Sequence, residues 1–123
     1  MTDHVSLARW REDMRRHAFN PDCLILNASI QNDDLKAAYD HTAGTATLRT
    51  NLEGALACIS LFLPDFLEKP HSRIISIGST VTLRPSVRSA AYAASKAGLS
   101  CALRTLALRY APAPVWRRRP RSP

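Results

Sequence analysis

Apolar residues recur with two different periods along the chain, and the changes of period mark its elements. From about Asp3 to Phe19, Leu7, Trp10, Met14 and Ala18 fall at helical spacing, with Arg9, Arg11, Glu12, Asp13, Arg15 and Arg16 on the other side, which predicts an amphipathic helix. Asp3 or Ser6 is placed to cap its start, Asn20-Pro21 ends it, and the lone His17 near its end reads as a surface or carbonyl-capping residue. Cys23 to Leu26 is a continuous apolar run of strand length, suited to the middle of a parallel sheet covered on both faces. From Gln31 to Thr50 the pattern is weak: Asp33-Asp34 is placed to cap a short helix through Tyr39, and Gly44 is expected in a turn. Leu48, Leu52, Ala55, Leu56, Ile59, Leu63 and Phe66 then recur every three or four residues and predict a helix from about Thr45 to Leu67. Pro64 should kink its last turns by removing a hydrogen bond to Ser60.

Lys69 to Ser72 reads as a turn, Arg73 to Ile77 as a second short apolar strand, and Thr80 to Ser89 as a loop. Ala90 to Tyr110 is a helix with Ser95, Leu99, Leu103, Leu106 and Tyr110 along one stripe, stopped by Pro112 and Pro114. A strand, a long helix and a second strand form a crossover unit with the strands parallel, so the expected class is α/β.

At 123 residues there is room for one domain with a modest core, and 46% apolar and 22% charged residues are ordinary for a globular protein. The formal charge of +7 invites a nucleic-acid reading, but Arg117, Arg118, Arg119 and Arg121 supply 4 of it, leaving an unremarkable +3. Residues 115–123 therefore read as a basic, solvated tail behind a domain of residues 1–114, and no specific nucleic-acid partner is expected. Cys23, Cys58 and Cys101 lie far apart in apolar surroundings and read as small core residues; no cluster has metal-ligand spacing, so no metal is expected. The first residues lack the pattern of a signal peptide and nowhere do 18 apolar residues run together, so the expected compartment is the cytoplasm, with no membrane partner.

The chemistry concentrates in Ser89 to Leu99. Tyr92 and Lys96 are four apart on a predicted helix and so share a face, and a cation beside a phenol favours the phenolate, which makes a usable proton donor and acceptor. Singly, each candidate has a plainer reading: Lys96 as a surface charge, Ser79 as a strand end, Asn51 as a cap. Together, Asn27-Ala28-Ser29 after an apolar strand, Asn51-Leu52-Glu53-Gly54, Ser79 thirteen positions before Tyr92, and Tyr92-x-x-x-Lys96 resemble the short-chain dehydrogenase/reductase family in order and spacing, from near residue 3 to about Ala111.

The resemblance implies a partial Rossmann-like, doubly wound parallel sheet and hydride transfer between NAD or NADP and a carbonyl or alcohol substrate. It assigns Tyr92 to proton transfer, Lys96 to the phenol and the nicotinamide ribose, Ser79 to the carbonyl oxygen, and Asn51 to a water that links Lys96 to solvent. Asn27, Ala28 and Ser29 would lie under the cofactor, with Asn27 bracing neighbouring strands and Ser29 standing where relatives have glycine. Relatives pair subunits through the helices that carry Asn51 and Tyr92, so a homo-oligomer is expected. No Gly-x-x-x-Gly-x-Gly phosphate turn occurs among the 4 glycines, and the text after Pro114 does not match the loop that covers the nicotinamide in relatives. The chain is accordingly expected to be a fragment truncated at both ends, impaired as an enzyme, or else a noncatalytic piece that acts only through association.

Overall fold

The computed structural model describes residues 3–32, 38–85 and 87–110. Helix α1 spans His4–Arg16, and the Asp3 carboxylate caps it by accepting from the amides of Val5 and Ser6. Ala18 closes it in the left-handed region at φ 53°, with Phe19 N–H bonded back to Met14 O at 2.9 Å and the Ala18 N–H to Arg15 O at 3.0 Å. His17 meets the Asp13 carbonyl through its Nδ1 at 2.8 Å. Strand β1 is Cys23–Leu26 and β2 is Arg73–Ser76; they pair in parallel with Cys23 opposite Arg73 and Leu26 opposite Ser76. The Ile77 N–H extends the ladder by one bond to Leu26 O at 3.0 Å.

A parallel pair needs a crossover, and here it is a single helical run from His41 to Leu67, longer at its start than the apolar period predicted. Asp40 begins it by accepting from Thr42 and Ala43 amides, so Gly44 lies in the helix and not in a turn. The run divides into α2, His41–Leu48, a π-helical segment, Arg49–Glu53, and α3, Gly54–Leu67, which passes through Pro64. Helix α4 is Ala90–Tyr110. The short helix expected over 33–39 falls mainly on residues outside those described, as does the tail at 115–123; residues 38 and 39 are not helical.

The core gathers Leu7 of α1, Leu26 of β1, Ala55, Cys58 and Ile59 of α3 and Leu99 of α4, with Leu24, Ile74, Leu103 and Leu106 packed around it. Phe62 and Phe66 are buried on α3, and Trp10 meets Phe62 edge-on at 5.6 Å between ring centroids. Gly98 lets α4 lie close to the π-helical segment, since a Cβ there would stand 3.2 Å from Leu52 Cδ2. Among the described residues helices cover one face of the sheet. Ile25 and Ile75, cross-strand partners, are 61% and 42% exposed on the other, so the expectation of a strand buried on both faces is corrected for β1. Cys23 shares that open face with Ile25 and Cys101 sits on the outside of α4; of the three cysteines only Cys58 is a core residue, and burial pushes its thiol up from its ordinary value.

Candidate active site

The carboxyl ends of β1 and β2 lie side by side, and the loops that leave them carry the candidate residues. Asn27, Ala28 and Ser29 follow β1 directly and are exposed. Two polar clamps fix the loop just beyond them. Asn51 holds Ile30 at both backbone groups, donating from Nδ2 to its carbonyl at 2.8 Å and accepting its N–H at Oδ1, also at 2.8 Å. Asn32 donates to Ala43 O and to Thr47 Oγ1, each at 2.9 Å, and Thr47 is fully buried. Bracing of this loop thus falls to Asn51 and Asn32, while the Asn27 side chain has no hydrogen bond among the described residues.

Asn51 is 2% exposed and sits in the π-helical segment, where the Gly54 N–H bonds Arg49 O five residues back. The second proton of Asn51 Nδ2 goes to Ser95 Oγ at 3.1 Å, and Ser95 Oγ donates to Tyr92 O at 2.7 Å. One side chain thus joins the loop after β1 to the first turns of α4. Both Nδ2 protons of Asn51 are committed, and its Oδ1 accepts one of the two hydrogen bonds it can take.

Ser79 ends the connection from β2 in extended backbone, φ −150°, and opens a 3₁₀ turn over Thr80–Thr82. Its carbonyl accepts from the Thr82 N–H and from Thr82 Oγ1, which fixes the backbone that presents it. Its Oγ accepts the Val81 N–H at 3.4 Å, leaving the hydroxyl proton to donate outward. Gly78 before it stands in open space, with no atom within 4 Å of where a Cβ would be.

Helix α4 starts from Ser89, whose Oγ accepts the Tyr92 N–H at 3.3 Å. Tyr92 is half-buried, and its hydroxyl has no partner among the described residues. Lys96, one turn on, is 6% exposed: its ammonium donates to Ile77 O at 3.0 Å and lies 5.7 Å from the centroid of the Tyr92 ring. An ammonium has three protons, and Ile77 O is the one acceptor Lys96 has among the described residues. The structure therefore brings Lys96 to Tyr92 and to the end of β2, and Asn51 to Ser95 beneath them. Ser95 and the Ile77 carbonyl are the members that sequence reasoning missed. Ser95 was visible as the one polar residue on an apolar stripe, whereas a backbone carbonyl leaves no mark in a motif.

Parallel strands joined by a helical crossover define an α/β protein, and its candidate residues lie beyond the carboxyl edge of the sheet, where open α/β sheets hold ligands. The family model for short chain dehydrogenase matches residues 1–116, and the chain belongs to that family. It is 32% identical over 99 residues to the 3-oxoacyl-[acyl-carrier-protein] reductase FabG of Escherichia coli (strain K12), covering 80% of this chain and 41% of that protein. It is 39% identical over 67 residues to the 2,3-dihydroxy-2,3-dihydro-p-cumate dehydrogenase of Pseudomonas putida, covering 53% of this chain and 26% of that one. The crystal structure of gox2181 superposes with a TM-score of 0.82 at 27% identity, over 90% of this chain and 44% of that one. The fold is accordingly a partial Rossmann fold, and the chain spans less than half the length of these relatives. Among the described residues no helix is long and apolar enough to cross a membrane, and no group of three or more His, Cys, Asp or Glu could hold a metal ion.

Proposed function

We propose that this chain carries the proton-transfer side of a nicotinamide-dependent oxidoreductase acting on a carbonyl or alcohol, with Tyr92, Lys96 and Ser79 as its catalytic residues and Asn51 as a positioning residue. The observation that carries the reading is Lys96: a buried ammonium held between the end of β2 and the Tyr92 ring, with one acceptor among the described residues for its three protons. A buried cation so sparsely partnered suits a ligand rich in hydroxyls. The small exposed residues Ala28 and Ser29 and the open space at Gly78 suit a flat group lying across the strand ends. NAD or NADP fits this setting, held by Asn27, Ala28, Ser29, Tyr92 and Lys96, and would supply the hydride.

The chain's own residues handle the proton. Ser79 Oγ donates to the substrate oxygen and polarises the carbonyl, and the Tyr92 phenol gives that oxygen its proton in reduction or takes it in oxidation. Lys96 holds positive charge beside the phenol, which stabilises the phenolate left after donation. The compartment proposed is the cytoplasm. Consumption of NADH or NADPH with ethyl acetoacetate, compared between the 123-residue chain and its Tyr92→Phe variant, tests the assignment: slow turnover is expected from the parent, because no Gly-x-x-x-Gly-x-Gly occurs within these residues, and none from the variant. Equal rates in the two would refute it.

A second reading, action through association alone, is favoured by the apolar groove that Leu48, Leu52, Leu56 and Ala57 line along the crossover helix, where Leu56 is 37% exposed. Self-association without cofactor binding would select it.

A further inference from the structure

A serine that gives a hydrogen bond to a substrate must keep its proton turned away from its own chain, and at Ser79 the next three residues arrange this. The 3₁₀ turn that opens there closes twice on the Ser79 carbonyl, which accepts the Thr82 N–H at 3.2 Å and the Thr82 Oγ1 hydroxyl at 2.8 Å. A carbonyl oxygen has two lone pairs, so Thr82 alone occupies both. The next carbonyl repeats the pattern, Thr80 O accepting the Leu83 N–H at 3.0 Å and the Arg84 N–H at 2.9 Å. Within the turn so closed, the Val81 N–H is directed at Ser79 Oγ, 3.4 Å away. Oγ is thereby an acceptor toward the chain, and its proton is left for an outside oxygen. A bond of that length is weak, so the hydroxyl is held only as well as the turn holds Val81. Gly78, on the other side of Ser79, has no side chain with which to steady it. Val81 and Thr82 are half-buried, and the turn packs against α4, the helix that carries Tyr92.

We infer that Thr82 is a positioning residue for the reaction: its hydroxyl locks the Ser79 carbonyl, and with it the turn that keeps the Ser79 hydroxyl in its donating posture. This rests on the assignment of Ser79 above. In this role Thr82 touches neither substrate nor cofactor and acts only through Ser79. Threonine hydroxyls commonly bond back three residues for local stability alone; a lock differs in that its loss frees the Ser79 side chain. Thr80 supplies the contrast, since it lies exposed in the same turn and its hydroxyl has no hydrogen bond among the described residues.

Thr82→Val keeps the side chain's shape and the backbone bond and removes only the hydroxyl. In reduction of ethyl acetoacetate by the 123-residue chain, kcat should fall about fivefold, the size of one neutral hydrogen bond, with KM unchanged. Thr82→Ser should recover most of the loss, and Thr80→Val should cause none. The Hα–Hβ couplings of Ser79, read by NMR on the isotope-labelled chain, report its rotamer without any need for turnover. One fixed rotamer is expected in the parent and in Thr82→Ser, and an average over rotamers in Thr82→Val. Couplings unmoved by Thr82→Val, a kcat loss from Thr80→Val as large as that from Thr82→Val, or a change confined to KM would each overturn the inference. Absence of turnover from the parent would refute the assignment of Ser79 and Tyr92 instead, and the couplings would then decide on Thr82 alone.

Discussion

Replacing Asn51 with leucine removes the link between the loop after β1 and helix α4 while keeping the side chain's approximate volume. Three hydrogen bonds disappear: two to the backbone of Ile30 and one to Ser95 Oγ. A buried group left unpaired costs about 1–3 kcal/mol. Ile30 is 40% exposed, so water recovers part of the loss and the lower end applies to each of its two groups. Ser95 is fully buried and adds about 1 kcal/mol. The better helix propensity of leucine returns about 0.5 kcal/mol, leaving a destabilisation of about 2–3 kcal/mol. For a domain of this size that lowers the unfolding midpoint by about 10 °C. Circular dichroism of Asn51→Leu beside Ser95→Ala provides the comparison, because Ser95→Ala breaks only the bonds of Ser95 Oγ and should lose about half as much. A midpoint for Asn51→Leu equal to or above that of Ser95→Ala would refute the view that Asn51 holds the loop as well as the helix.

Ala18→Gly should raise stability by about 1 kcal/mol in denaturant titration, since the native φ of 53° is strained for a residue with a Cβ; no gain would mean that the turn relaxes in solution. The Arg11 guanidinium on Asp65 holds its carboxyl below the ordinary value of 3.8, with burial opposing. Because the folded value is the depressed one, this contribution is present above about pH 4 and lost as pH falls through the folded value, so Asp65→Asn should flatten that acid limb; Asp3, lowered by Ser6, titrates in the same window and should keep some slope. Tyr92→Phe should leave the unfolding free energy from denaturant titration within about 0.5 kcal/mol of the parent, as its hydroxyl has no partner among the described residues; a larger loss would reveal a structural bond. Sedimentation at micromolar concentration should show self-association, given the open Ile25–Ile75 face and the groove at Leu56; a clean monomer would contradict it.

Much of the fold was legible because its elements advertise themselves by period. Cys23 to Leu26 and the Leu48 to Phe66 stripe needed only apolar spacing, and Asp3 declared the start of α1 by its type and place. The start of the crossover helix was not legible: Asp40 caps it, but Thr42 to Ala46 has no apolar stripe to continue the period backwards. The π-helical segment was hidden for a related reason, since one extra residue per turn shifts register by less than the spread of a leucine stripe. Exposure of Ile25 and Ile75 could not be read locally either, because a strand's own sequence does not say whether a layer lies on each side. At the site, residue types and order were readable from Asn51, Ser79, Tyr92 and Lys96. The Asn51–Ser95 clamp and the hold of the Ile77 carbonyl on Lys96 are long-range contacts that only the fold assembles.

The central claim is that the carboxyl ends of β1 and β2 hold a nicotinamide cofactor against the Tyr92 phenol. Its most direct test is amide NMR of the labelled chain titrated with NADH and with NADPH. At least one of the two should produce saturable shifts at Asn27, Ala28 and Ser29 together with Tyr92 and Lys96, and Lys96→Met, shown by circular dichroism to keep its fold, should weaken them by about tenfold or more. Shifts at neither cluster with either cofactor, or shifts that survive Lys96→Met unchanged, would contradict the account.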